Sequence, residues 1–258
     1  MTSTRWTKEH IKLAFNLYCQ IPYGRIHGRN PEIMALAAAI GRTADAVAMK
    51  MLNIASLDPA IIASGRAGLG NASSLDKEIW SEFHADWEQL AVESEQLMLD
   101  LHAITHPSME IICDENKTPE DFTGETRRVM TEQRIKQNFF RRAVLSSYQG
   151  RCCMSGLSEP RLLIASHIVP WSKDKANRLN PSNGLCLSAI HDRAFDKGLI
   201  TLSNEFTIVV AQELMRRDEV FVREVIAPLH GKPIAMPERF MPDAGFIAMH
   251  RNEVFIER

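Results

Sequence analysis

Three polar residues in the second half of the chain, His167, Asn183 and His191, have types and an order that suit hydrolytic chemistry. An imidazole titrates near neutrality, so it can accept a proton from water, and it also ligates divalent metals. An amide can hold such a ring in place by a hydrogen bond. Each residue alone has an ordinary explanation, because most histidines are merely satisfied polar groups and Asn-Gly is the commonest hairpin dipeptide. The ordered set is what indicates a site.

The elements that must position these residues follow from the surrounding pattern. Residues 162–168 predict a strand, a polar loop follows, and residues 184–187 predict a second short strand. Ser188 can cap a helix that continues through Phe195. The three polar residues therefore stand at the junctions of a strand–loop–strand–helix frame.

Three motifs within this frame resemble those of the HNH endonuclease family, in its restriction-endonuclease-like branch. They are Ser166-His-Ile-Val-Pro-Trp171, Asn183-Gly-Leu-Cys-Leu187 and His191-Asp-Arg-Ala-Phe-Asp-Lys-Gly198. Phe140-Arg141, Tyr148-Gln-Gly-Arg-Cys152 and the terminal His250-Arg-Asn-Glu-Val-Phe255 fit the same family. The resemblance covers residues 125–258, about half of the chain.

The resemblance implies a metal-dependent phosphodiesterase. His167 stands where the family has the general base that activates water, Asn183 where an amide orients that base, and His191 where a histidine ligates the metal. One divalent metal suffices to neutralise charge on the scissile phosphate. We expect Mg²⁺, although imidazole ligation also suits Mn²⁺, Ni²⁺ or Zn²⁺.

Ser166 departs from the pattern, because many HNH enzymes have Asp or His immediately before the base as a second metal ligand. Asp196 is the first candidate for that ligand and Asp192 the second. A further alternative is that His167 itself ligates the metal and the base lies elsewhere. Asp196 is equally well explained as a turn-capping carboxylate before Gly198.

The five cysteines include no CxxC pair, and four properly spaced zinc ligands are missing. We therefore expect buried thiols, no structural zinc, and a cytoplasmic protein with reduced cysteines. The first residues lack the apolar core of a signal peptide, and no run of about 18 apolar residues predicts a membrane span.

The first half of the chain predicts helices. Thr7 can cap a helix over residues 8–18, and residues 32–40 and 44–53 form two more around a break at residues 41–43. A small-residue helix, a glycine turn and a second amphipathic helix resemble a helix-turn-helix, with an ordinary helical hairpin as the alternative. Arg42, Lys50 and Asn53 are the candidate DNA contacts in this part.

Charge is strongly segregated although the net charge is only −2. Residues 1–75 carry a net +4, residues 76–122 a net −11, residues 123–200 a net +7 and residues 201–258 a net −2. We expect the basic segments to face DNA and the acidic helix to face away from it, with its aromatic residues in the core. The candidate phosphate contacts of the second basic segment are Arg127, Arg128, Arg134, Arg141, Arg142, Lys173, Lys175 and Arg193.

Together these patterns predict an α+β protein in three parts. Residues 1–104 form a helical, helix-turn-helix-like DNA-recognition domain with an acidic connecting helix, 105–125 a linker, and 126–258 a ββα-metal HNH nuclease domain. The expected function is cleavage of double-stranded DNA by a homodimeric restriction enzyme, with dependence on modified bases left open. The alternatives are a nicking or nonspecific nuclease, and a catalytically weak DNA-binding regulator that retains the nuclease fold.

Overall fold

The computed structural model describes residues 5–66, 68–105 and 124–256, and only the backbone of residues 102–105 and 124–131. The chain divides into two compact units, Met1–Phe139 and Phe140–Arg258. Most of the predicted linker, residues 106–123, lies outside the described residues, as does Cys113. No helix in the described ranges is both long enough and apolar enough to cross a lipid bilayer.

The first unit is helical. Its helices are α1 (Lys8–Gln20), α2 (Pro31–Ala39), α3 (Ala44–Ala55), α4 (Pro59–Ala63), α5 (Ser74–Ala85) and α6 (Trp87–Thr105). Thr7 and Thr43 cap α1 and α3 as predicted, because each hydroxyl accepts a hydrogen bond from a backbone N–H in the first turn. The predicted acidic helix is in fact two, since the chain leaves helical geometry at Asp86.

Aromatic rings from three helices fill the core of this unit. Phe15 of α1 lies 4.1 Å from Phe83 and 5.3 Å from Trp80, both on α5, and 6.3 Å from Trp87 of α6, as measured between ring centroids. Lys12 then links the same helices at their polar edge, through Glu82 at 2.9 Å and Glu93 at 2.7 Å. The aromatic residues of the acidic stretch are thus core residues, as predicted.

Helices α2 and α3 pack against each other around a turn in which Gly41 has a φ of +66°. That left-handed conformation is readily available to glycine and explains the residue at this position. Two helices joined by a glycine turn are common to a helix-turn-helix and to an ordinary helical hairpin.

The second unit combines short helices with two antiparallel two-stranded sheets, so the α+β fold class is confirmed. The boundary between the units falls within α7 (Gly124–Ser147). The remaining elements are β1 (Leu163–His167), β2 (Gly184–Ser188), α8 (Ala189–Asp196), β3 (Ile200–Leu202), β4 (Ile208–Val210), α9 (Gln212–Met215) and α10 (Ala244–Glu253).

The C-terminal helix α10 completes the core around α8. The His250 ring stacks on Phe195 with centroids 3.6 Å apart, and its Nε2 donates to the Phe195 carbonyl at 3.1 Å. Gly198 has a φ of +69°, and a Cβ there would lie 2.0 Å from the Val254 carbonyl oxygen. The chain can pass this closely only because residue 198 is glycine.

Candidate active site

A ββα frame carries the three predicted site residues. Strands β1 and β2 pair antiparallel, from Leu163 opposite Ser188 to His167 opposite Gly184. Helix α8 begins directly after β2 and packs on both strands. Ser188 caps it by accepting a hydrogen bond from the His191 backbone N–H at 3.4 Å. The predicted strand–loop–strand–helix frame is confirmed.

His167, at the end of β1, is held between two aromatic rings. Its imidazole stacks on Phe140 with centroids 3.9 Å apart and planes 8° apart, and Trp171 meets it edge-on at 5.4 Å and 90°. Such packing leaves the ring little rotational freedom. Neither Phe140 nor Trp171 was predicted to position this histidine, although both belong to the motifs that carry the resemblance.

The hydrogen bonding of His167 defines which nitrogen can accept a proton. Nε2 lies 2.9 Å from the Arg178 carbonyl oxygen, and since a carbonyl only accepts, Nε2 is the donor. In the neutral ring, Nδ1 is then the basic nitrogen. Burial lowers the pKa of His167, against the opposing effects of the Arg178 carbonyl and the charge of Asp192. The ring therefore stays neutral to a lower pH than an exposed histidine.

Asn183 does not orient His167 in the way that was predicted. Its Oδ1 accepts from the Val169 N–H at 2.8 Å, and its Nδ2 donates to the carbonyls of Val169 and Asn177, each at 3.2 Å. All three partners are backbone groups of the loop between β1 and β2. Asn183 thus fixes the loop that contains Arg178, and the Arg178 carbonyl holds the imidazole. A contact made by a backbone carbonyl cannot be predicted from the pattern of side chains in the sequence.

His191 is buried and has one nitrogen without a partner. Its Nδ1 lies 3.0 Å from the Ser188 hydroxyl and 3.4 Å from the Cys152 sulfur, while Nε2 is buried with no hydrogen-bond partner. Burial alone would raise the pKa of the Cys152 thiol, but hydrogen bonds from His191 and Ser155 bring it down to about 6. A thiolate accepting from Nδ1–H leaves the Nε2 lone pair available to a cation.

The two predicted metal ligands on α8 do not come together. His191 is buried whereas Asp196 is exposed, and residues five apart on an α-helix point about 140° apart. Asp196 instead shares a helix face with Asp192. Partial burial of its carboxyl, and then the like charge of Asp192, raise the pKa of Asp196. Asp192, the second candidate, is the carboxylate whose charge acts on both His167 and Asp196.

The residues present fit a metal held by few protein atoms. No group of three or more His, Cys, Asp or Glu side chains in the described ranges is placed to share a metal ion. The Ser166 hydroxyl, at the position of the expected second ligand, is buried without a hydrogen-bond partner, like His191 Nε2. Mg²⁺ commonly keeps several waters and takes phosphate oxygens in addition to one or two protein ligands. The donor set is compatible with such an ion.

The thiols near His191 are packed within the fold. Cys152, Cys153 and Cys186 are all buried and form no disulfide, and Cys19 is buried in the other unit.

His191 also borders an open cleft of about 500 Å³. Its lining consists of Ser155, Gly156, Leu157, Ser158, Ser188, Ile190, His191 and Val225.

Several predicted phosphate contacts have structural partners in the second unit. Arg141 donates to the Leu163 carbonyl at 2.9 Å, which ties α7 to the start of β1, and Lys173 pairs with Glu253 at 2.6 Å. Arg142, Lys175 and Arg193 are exposed, as is Arg134 in the first unit. The side chains of Arg127 and Arg128 lie outside the described residues.

In the first unit, Lys50, one of the predicted DNA contacts, is engaged inside the fold. Lys50 is 7% exposed, and its ammonium forms an ion pair with the buried Asp76 at 2.9 Å. The Arg42 guanidinium lies over the Trp6 ring at 4.1 Å, and Asn53 is half-buried with its Oδ1 enclosed and unpartnered. The polar residues predicted to contact DNA from α3 and the turn before it are therefore largely enclosed by other parts of this unit.

A comparison with protein families bears directly on this frame. Residues 152–203 match a family model described as HNH endonuclease, a segment that contains His167, Asn183, His191 and Asp196. This segment is similar to HNH endonuclease domains. Such a domain indicates a nuclease that acts on DNA, and HNH nucleases generally use a divalent metal. A search of curated proteins finds no match to the chain.

Proposed function

We propose that this protein is a metal-dependent DNA endonuclease that acts as a restriction enzyme, with His167 as the general base. The observation that carries the proposal is the imidazole of His167, fixed between two rings with Nε2 bonded to a carbonyl and Nδ1 left to accept a proton. A general base needs an accessible lone pair and a neutral ring at working pH. The lowered pKa of His167 supplies the second condition.

In this mechanism His167 Nδ1 takes a proton from water while the water oxygen forms a bond to phosphorus. The bond between phosphorus and the leaving sugar oxygen breaks, and that oxygen takes a proton from solvent. His191 Nε2 would hold the divalent ion, whose chemistry is to neutralise charge on the scissile phosphate. Exposed arginines, among them Arg193, would bind neighbouring phosphates.

The chain has one segment that matches the HNH model, and one HNH active site would cut one strand. Restriction of duplex DNA therefore needs two chains or two successive cuts, and we propose a homodimer. A restriction enzyme must distinguish foreign DNA from host DNA, and base modification is one means of doing so. Whether cleavage depends on modified bases is therefore included in the test of this proposal.

A second candidate function, a DNA-binding regulator with little catalytic activity, is favoured by one observation. Ser166 cannot supply a charged second ligand, and no three-ligand group is found in the described part of the chain. Weak metal binding would leave DNA binding as the main activity.

The test is cleavage of supercoiled plasmid, prepared with and without base modification, in Mg²⁺ or Mn²⁺. His167→Ala should reduce cleavage about a hundredfold or more, the usual contribution of a general base, while DNA affinity stays near that of the wild type. His230→Ala, an exposed histidine of the same unit, is the matched control and should cut normally. Cleavage retained by His167→Ala refutes the base assignment, and absence of cleavage by the wild type in either metal supports the regulator.

A further inference from the structure

Two loops of the first unit carry basic side chains and no acidic ones. The loop between α1 and α2 contains Arg25, His27 and Arg29, and the loop between α4 and α5 contains Arg66. The sequence has no Asp or Glu from residue 21 to residue 31, or from residue 59 to residue 75. Arg25, Arg29 and Arg66 are exposed.

The fold brings these loops together although they are about 40 residues apart in the sequence. The Arg66 guanidinium lies 5.7 Å from the centre of the Tyr23 ring, a cation–π contact between one loop and the other. At Gly68, a Cβ would lie 2.5 Å from the Leu52 carbonyl oxygen, so the second loop lies directly on the end of α3. The fold thus places Arg66 of the second loop beside Tyr23 of the first, two residues from Arg25.

The backbone of the first loop is held in place by a buried asparagine. Asn30 is buried, its Nδ2 donates to the Arg25 carbonyl at 3.0 Å, and its Oδ1 accepts from the Glu32 N–H at 2.9 Å. Ile26 is buried beneath the loop. A loop whose backbone is already fixed loses less conformational entropy when it binds a ligand.

Two arginines of these loops, unlike four lysines of the unit, have no carboxylate partner within the described residues. Lys8, Lys12, Lys50 and Lys136 all form ion pairs with carboxylates. Arg25 and Arg29 form no ion pair within the described residues. Asp45 packs against Gly28 of the first loop, and Glu32 lies in the first turn of α2.

We propose that Arg25, Arg29 and Arg66, with His27, form a phosphate-binding surface for duplex DNA. The proposal rests on the proposed function for its choice of DNA. It moves the DNA contact of this unit from α3, whose Lys50 is buried, to the two basic loops. Guanidinium groups bind phosphate through two parallel N–H donors, and contacts of this kind fix the register of a protein on the duplex.

The test measures binding of a short, fluorescently labelled DNA duplex by the full chain over a series of salt concentrations, with EDTA present to prevent cleavage. Arg25→Ala/Arg29→Ala should lower the slope of log affinity against log salt by about 2, and Arg66→Ala by about 1, since each lost phosphate contact removes about 0.9. The double variant should bind about tenfold more weakly at moderate salt. Circular dichroism should show unchanged helix content.

Lys8→Glu is the matched control, because it changes the net charge by the same amount as the double variant at a lysine that already pairs with Glu78. Its salt slope should equal that of the wild type. An unchanged slope in the arginine variants, an equal loss in the control, or tighter binding of RNA than of DNA would each overturn the proposal. Since binding is measured without metal, failure of the wild type to cleave DNA affects the proposed nuclease function and leaves this test intact.

Discussion

The surroundings of His167 prepare its ring for proton transfer before any substrate arrives. A freely rotating, exposed histidine would present either nitrogen and would be largely protonated just below neutrality. Here stacking on Phe140 fixes the ring plane, and the Arg178 carbonyl selects the tautomer. One nitrogen of one tautomer is left to accept a proton, and burial lowers the pKa of the ring.

This arrangement predicts the acid side of the pH–activity profile. The base works only when neutral, so cleavage should hold as pH falls through the ordinary histidine value of 6.5 and decline below it. Trp171→Ala should admit water, raise the pKa of His167 towards 6.5, and move the decline to higher pH. Single-turnover cleavage rates measured against pH, with His230→Ala as control, check this. A wild-type profile that already declines above pH 6.5 would contradict it.

At the scale of elements, the loop between β1 and β2 matters as much as the strands themselves. It carries Arg178 and Trp171, which both contact His167. Arg178 also donates from Nε to the Trp171 carbonyl at 2.8 Å, so the two contacts are linked. Asn183 closes the loop from its far end.

Asn183→Ala should therefore act through stability. It removes three hydrogen bonds and leaves the buried backbone N–H and carbonyl of Val169 unpaired, which costs about 2 to 4 kcal/mol of unfolding free energy. Urea unfolding followed by circular dichroism measures the loss, and Asn252→Ala, an exposed asparagine on α10, should be neutral. Loss of cleavage with full stability would instead show a direct role of Asn183 in the reaction.

The elements that local patterns specify could be predicted from the sequence. Short apolar runs, a serine cap and an Asn-Gly pair define β1, β2 and α8, and threonine caps define α1 and α3. Contacts between distant residues could not be predicted in this way. Lys50 was assigned to a polar helix face, yet its partner Asp76 lies 26 residues away in a helix whose packing the sequence does not reveal.

The candidate site could be predicted only in part, because local patterns place its residues but do not reveal their distant contacts. His167 and His191 stand at the junctions where the pattern put them. Their partners are a backbone carbonyl and a cysteine 39 residues away, and neither kind of contact leaves a periodic signal. The separation of His191 from Asp196 follows from helix geometry, because residues five apart lie on different faces, and it is predictable from the sequence.

For the whole molecule, the formal charge of the acidic segment overstates its repulsion of DNA. Lys8, Lys12 and Lys136 come from flanking segments and pair with four of its glutamates, Glu78, Glu82, Glu93 and Glu88. Such pairs add little stability at the surface, but they cancel local field. The electrostatic contrast is therefore greatest where cations lack carboxylate partners, as Arg25 and Arg29 do within the described residues.

The proposed homodimer makes a prediction about strand cleavage. When wild-type chains are mixed with an excess of His167→Ala chains, most active dimers contain one competent subunit and should nick one strand only. Nicked circles should accumulate at the expense of linear plasmid, as gel electrophoresis would show. Mixing with His230→Ala chains should leave the products unchanged. Linear product that falls only in proportion to the wild-type fraction, without nicked circles, would contradict a dimeric nuclease.

The glycine at position 198 changes what the signature around α8 means. In His191-Asp-Arg-Ala-Phe-Asp-Lys-Gly198, Phe195 serves as the platform for a ring on α10, and Gly198 makes room for the carbonyl of Val254. Phe195 and Gly198 are thus explained by the packing of α10 and the residues after it against α8, and they are not evidence of catalysis. A protein could keep this signature through selection for packing alone, and the histidines must be judged by their own contacts.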